Sequence, residues 1–226
     1  MSLLPSGHEC GVFARCDIAA AERLRAWGDH TSKHFSLPLP DAWKLLDERA
    51  TPRDRAFLIP VGTCWTGYFD NDVNEYMSTT IPWAFTRLLG CDTYGFSDHG
   101  ERGIQFRAFL TGEPDPIERA VMVYEEDGWQ FEQRGEPLPF EDTEAYSRPL
   151  KRERLTEELL RTYGAALGIP FWDASAYGQD VVFLDRRGTP RADHAKIAKE
   201  LKEFAKSLGG KLIQLVPKDG KIVQEE

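Results

Sequence analysis

The sequence predicts an α+β protein, a mainly antiparallel sheet with flanking helices followed by a C-terminal βαββ module. Three observations predict it. From Cys91 onward, segments rich in aromatic and β-branched residues (TYGF, IQFRAFL, ERAVMVYEE, WQFEQ) are separated by short turn signals instead of helices. Elsewhere, apolar residues recur at helical spacing behind a capping residue. A chain of 226 residues, 41% hydrophobic and 12% aromatic, fills one large core, or one domain plus a small module.

Taken in order, Asp17 caps IAAAERLRAWG, where Ile18, Ala21, Leu24 and Trp27 share a face, and Asp41 after Pro40 caps AWKLLDERA, which turns Trp43 inward. Residues 56–61 and 63–69 read as strands divided by Gly62, and Pro82 opens a helix over WAFTRLLG that Gly90 closes. His99-Gly100, Pro114-Asp115-Pro116 and Asp127-Gly128 then punctuate an antiparallel meander. The Asp-Gly pair signals a tight hairpin, because both residues tolerate the positive φ of a primed turn. Trp65, Phe106 and Trp129 are expected to be buried. Pro137-Leu138-Pro139 ends the meander, and Thr156 caps EELLRTYGAALG, with Leu159, Leu160, Tyr163 and Leu167 on one face and a stop at Gly168.

Charge divides the chain. Residues 186–226 hold ten Lys/Arg against six Asp/Glu, a net +4, which leaves −13 for residues 1–185 within a total of −9. That polarity suggests two modules with a seam near Tyr177 to Asp180: residues 1–178 as the α+β domain and 179–226 as the βαββ module. In the second, VVFL is the first strand. A helix over 190–208 follows, with Ile197, Leu201, Phe204 and Leu208 on one stripe, and a hairpin turning at Asp219-Gly220 closes the module.

The acidic balance, pI near 5.2, argues against general nucleic-acid binding, which works through Lys and Arg on phosphates. No apolar run reaches the ~18 residues needed to cross a bilayer, and MSLLPSGHECG lacks a basic region followed by a long apolar stretch, so a cytoplasmic protein is expected. Cys10, Cys16, Cys64 and Cys91 are dispersed, which suits a reducing compartment.

Catalytic and metal patterns are incomplete. Asp70, Asp72 and Asn74 alternate like the start of a calcium loop, but Glu75 and Ile81 stand where glycine and a bidentate glutamate belong, so a polar loop is the simpler reading. His30 and His34 would face one metal only on a helix, and Thr31 replaces the glutamate of a zinc-protease motif. His8, Cys10 and Cys16 lack the close cysteine pairs of structural zinc sites. Neither GxGxxG nor GxxxxGK[ST] occurs, so no nucleotide cofactor is expected, and no serine or cysteine sits on a tight glycine-flanked turn.

Three stretches carry a resemblance: CWTGYFDND from Cys64, TRLLGC from Thr86, and GWQFEQRGEPLPFEDTEAYSRPLKRERLTEELLRTYGAALGI from Gly128. Over Cys64 to Tyr177, about half of the chain, the sequence is similar to a family of actinobacterial proteins. That family has no established activity to transfer, so the resemblance implies kinship without chemistry.

The strongest functional signal is EEDGWQFEQRGEPLPFEDTE, where acids surround an aromatic strand core with Arg134 as the single base. Glu125, Glu126, Asp127, Glu132, Glu136, Glu141 and Asp142 are the candidate docking residues for a basic protein partner. The leading expectation is a non-enzymatic binding module of the immunity or antitoxin type. The alternatives are a hydrolase assembled from Asp70, Asp72, His99 and Glu132, and a self-associating module.

Overall fold

The computed structural model describes residues 10–26, 31–47, 55–70, 80–185, 215–218 and 221–224. The main sheet has nine strands: β1 (Cys10–Ala14), β2 (Thr31–Ser36), β3 (Arg55–Val61), β4 (Trp65–Asp70), β5 (Thr93–Asp98), β6 (Gly103–Leu110), β7 (Ile117–Glu125), β8 (Trp129–Arg134) and β9 (Asp180–Asp185). Their order is β2-β9-β3-β4-β1-β5-β6-β7-β8, and every neighbouring pair is antiparallel. The expected α+β class and the β5 to β8 meander are both present.

Helices cover both faces. Alternation along each strand sends successive side chains to opposite sides. On one side Phe13, Phe57, Phe69, Phe96 and Phe106 form the larger core with α2 (Leu39–Asp47) and α4 (Glu157–Leu167). On the other, Val12, Ala14, Leu58, Tyr68, Val182 and Leu184 pack with α1 (Ile18–Ala26) and α3 (Thr80–Leu89). The central strands are therefore apolar on both faces, and β3 is buried along almost its full length.

Phe69 organises the larger core. Its ring lies 4.6 Å from Trp43, 5.1 Å from Phe57 and 5.9 Å from Phe13, measured between ring centres. It fits because its strand neighbours lack side chains: a Cβ on Gly11 or Gly67 would come within 2.8 Å of the Phe69 ring. Trp65 and Phe106 are buried as expected, and Trp129 is half-buried against the same core.

Local signals account for most ends. Asp17 Oδ1 accepts from Ala20 N at 2.8 Å, and Thr156 accepts from Leu159 N, capping α1 and α4. Gly168 ends α4 in the left-handed region at φ 70°. The second helix starts before its expected cap: α2 begins at Leu39, and Asp41 sits in its first turn, bonded to Lys44 at 2.6 Å. Strands β1 and β2 are additional to the expected elements.

The seam expected near Tyr177 does not detach the strand that follows it. VVFL lies in β9, inserted between β2 and β3 of the main sheet. Its residues alternate Val181 and Phe183 into the larger core with Val182 and Leu184 into the smaller one, and such a strand needs cover on both faces. Gly62 N–H donates to Ala176 O at 2.9 Å and Gly178 N–H to Pro60 O at 2.8 Å, which stitches the approach to β9 onto β3. β10 (Leu215–Lys218) and β11 (Lys221–Gln224) pair antiparallel, and the turn expected at Asp219-Gly220 lies outside the described residues. The helix expected over 190–208 lies outside the described residues.

Candidate functional site

The acidic segment begins at the β7–β8 turn. Asp127 and Gly128 take φ of 50° and 101°, the positive values foreseen for this Asp-Gly pair. The Glu125 carboxylate accepts from Gly128 N–H at 3.1 Å, and Gln130 Nε2 donates to Gly128 O at 3.1 Å, so the tip is held by its own side chains. Glu125, Glu126 and Asp127 are all exposed there.

Among the described residues β8 is the terminal strand of the sheet and pairs only with β7. Glu132 lies in its middle, exposed, and accepts from Tyr124 OH at 2.6 Å. Phe131, of opposite phase, packs on the larger core. Past Gly135, whose φ is 73°, the chain turns back with Glu136 and Asp142 exposed. The six-residue strand, about 20 Å long, thus separates the tip carboxylates from Glu136.

Glu141 departs from the expected docking set. Its side chain is fully buried in an ion pair with Arg119, which is 1% exposed. Arg119 Nε donates to Glu141 Oε1 at 2.9 Å and Nη2 to Oε2 at 2.6 Å. Nη1 donates to the carbonyls of Arg134 and Gly135 at 3.0 and 2.9 Å, and Nη2 to Gln133 Oε1 at 3.1 Å. The carboxylate also accepts from Leu138 N–H and from Tyr146 OH, which in turn meets Tyr163 OH at 2.9 Å. Burial works against the charge on Arg119, but the bonds to Glu141 outweigh it and hold the guanidinium above its ordinary pKa. Burial first, and then the bond to Glu141, push the Tyr146 phenol up. The pair is closed and satisfied: it staples residues 133–141 to β7 and offers no carboxylate to a partner. Sequence did contain a signal, since Arg119 has the same strand phase as the buried Val121 and Val123 and so requires an internal counter-charge.

Nor is the segment as free of bases in space as in sequence. Lys151 Nζ donates to Gln130 Oε1 at 3.0 Å, and the Arg154 guanidinium lies 5.3 Å from the centre of the Phe131 ring. On the α1/α3 face, Arg107 pairs with Glu118 at 3.2 Å. Burial, the first cause, lowers the Arg107 pKa against the attraction of Glu118. The uniformly acidic part is the turn Glu125 to Asp127.

The hydrolase candidates do not converge. Register places Asp70 of β4 and Glu132 of β8 on one face but five strand spacings apart, about 24 Å. His99 closes the β5–β6 connection, its N–H donating to Gly103 O at 2.8 Å, while Asp72 and Asn74 lie outside the described residues. His34 belongs to strand β2, not a helix, and its Nε2 stands 3.0 Å from Glu22; His30 lies outside the described residues. Cys10 opens β1 and Cys16 lies in the bend past its end, so the strand, about 14 Å from Cys10 to Ala14, holds them too far apart to share one metal. Among the described residues no three metal-binding side chains cluster. A cavity of about 320 Å³ lies between the end of α3 and the β6–β7 loop, lined by Thr86, Arg87, Thr111 and Glu113 among others. Thr86 Oγ1 is already engaged with Pro82 O, Thr93 Oγ1 and Phe109 O.

No helix among the described residues is long and apolar enough to cross a membrane. No family model, curated protein or solved structure matches the chain.

Proposed function

We propose that this protein is a non-catalytic binding module of the immunity or antitoxin type, acting in the cytoplasm and docking a basic protein partner, not nucleic acid or membrane. The docking surface is the outer edge of the β7–β8 hairpin: Glu125, Glu126 and Asp127 at the tip, Glu132 along the strand, and Glu136 with Asp142 beyond it. One observation carries the reading, namely that the exposed carboxylates flank a strand at the end of the sheet. A terminal strand offers backbone donors and acceptors to an incoming chain, and its charges decide which chain is accepted. The residues after β9, net positive and including the β10–β11 pair, serve in this reading as a basic appendage. Kinship with the actinobacterial family remains part of the same proposal.

The test is Glu126→Lys/Glu132→Lys/Glu136→Lys against wild type, with partners captured from cells and association rates then measured across a salt series. Slower association of the variant, and a matching loss for wild type as salt rises, are expected, because exposed charges act mainly on the on-rate. Salt-independent rates and equal recovery of partners overturn it. A self-associating module is the second reading, favoured by one observation: the opposite edge strand, β2, exposes Lys33 and His34. Concentration-dependent sedimentation abolished by the same triple variant would select it.

A further inference from the structure

Two cysteines that no docking role uses stand opposite one another. The β1–β5 ladder runs in step from Cys10 against Ser97 to Ala14 against Thr93. Past the strand ends the register holds, since Arg15 N–H donates to Asp92 O at 3.0 Å. The next facing positions are Cys16 and Cys91. The ladder itself ends at Ala14 against Thr93, and the chain bends at Arg15 and Cys16, where Cys16 N–H donates to Ala14 O at 2.9 Å; facing residues of a regular antiparallel pair have Cα atoms about 4.5 to 5.5 Å apart. A disulfide spans roughly 4.4 to 6.8 Å between Cα atoms. Both residues belong to the smaller core, Cys91 buried and Cys16 half-buried, and both are free thiols that share a side-chain hydrogen bond. The surroundings are anchored: Thr66 Oγ1 donates to Cys16 O at 2.8 Å, and Cys91 Sγ lies 3.7 Å from Phe85 O.

We propose that Cys16 and Cys91 are a redox-modification site that closes reversibly into a cross-strand disulfide, tying the end of β1 to the segment between α3 and β5, with hydrogen peroxide as the oxidant. The hydrogen bond from Cys16 favours the Cys91 thiolate and holds its pKa below the ordinary thiol value, whereas the same bond, followed by burial, raises that of Cys16. In the proposed step Cys91, as its thiolate, is the attacking sulfur. Its S–O bond forms as the peroxide O–O bond breaks, and one water leaves. The Cys16 sulfur then attacks the sulfenic sulfur, the S–S bond forms as S–O breaks, and a second water carries off the remaining thiol proton. Two thiols and one peroxide become one disulfide and two waters.

The test uses the full chain carrying Cys10→Ser and Cys64→Ser, so that only this pair titrates. Stoichiometric peroxide should take the titratable thiols from two to none, yield a proteolytic peptide linking Cys16 to Cys91, and raise the melting temperature; dithiothreitol should reverse all three. Adding Cys91→Ser should remove the linked peptide and the melting shift. Peptide mapping of wild type under the same peroxide gives an answer independent of how well the variants fold. The proposal is overturned if both thiols stay titratable, or if each ends as a separate oxidised acid with no linked peptide, while exposed Cys64 of the wild type reacts.

Discussion

At the scale of single residues, Arg119 and Glu141 are the most consequential pair. Both are buried, all their polar contacts are internal, and either one alone would be a charge without a partner. Glu141→Gln should therefore lower the unfolding free energy by about 3 to 5 kcal/mol, measured by urea denaturation. The double change Arg119→Met/Glu141→Leu should cost less than either single change, and an equal or larger cost would show that the pair is not coupled. The buried tyrosines give a pH signature. Burial first, and then Asp92, push Tyr94 up from 10.0 to about 12. Its contribution is complete below pH 10, where the phenol is neutral whether folded or not, and is lost as pH rises from 10 to 12, where only the unfolded chain ionises readily. Tyr94→Phe should flatten the fall in melting temperature over that window, and superimposable curves would count against the assignment. These residues were legible only in part: aromatic burial follows from composition and phase, but the partner of Arg119 lies 22 positions away and looks locally like one more surface acid.

At the scale of elements, the strands written most clearly were those bounded by turns, because a turn fixes register and alternation then fixes the face. Hence β6, β7 and β8 fall where the sequence puts them, and Thr156 and Gly168 bound α4. Two strands escaped for opposite reasons. β1 is a short apolar run with no periodic signature, whereas β2 is a polar edge strand whose TSKHFS has little to bury. Gly67 seats the Phe69 ring from two positions earlier on the same strand, but the second seat, Gly11, comes from β1, distant in sequence, and nothing local showed it. Gly67→Ala should consequently destabilise by about 1 to 3 kcal/mol through overpacking, although alanine is ordinarily better tolerated than glycine in a strand. Pairing it with Phe69→Leu should recover part of the loss in chemical denaturation; additive losses would mean the ring is not the obstacle.

At the scale of the whole molecule, the boundary that charge suggests falls just before a strand that pairs into the main sheet. Net charge reports what faces water, whereas membership of a sheet is decided by which faces must be dry, and VVFL is apolar on both. The candidate docking acids show the same limit: sign alone singles out seven, and the fold withdraws Glu141 and spreads the others along a strand. The boundary can be tested by truncation. β9 joins β2 to β3 and buries Val181, Val182, Phe183 and Leu184 at 6% exposure or less. At about 1.5 to 3 kcal/mol for each buried side chain, removing them forfeits an amount comparable to the whole stability of a typical domain, roughly 5 to 15 kcal/mol. Without β9, moreover, β2 has no partner in the sheet and β3 gains a bare edge. A chain ending at Asp185 keeps all nine strands, and should melt cooperatively near the full-length temperature. A chain ending at Gly178 should lose its cooperative transition and expose apolar surface to a hydrophobic dye. A cooperative melt for the shorter chain would mean that β9 belongs with the residues after it, and would restore the boundary that the charge distribution suggests.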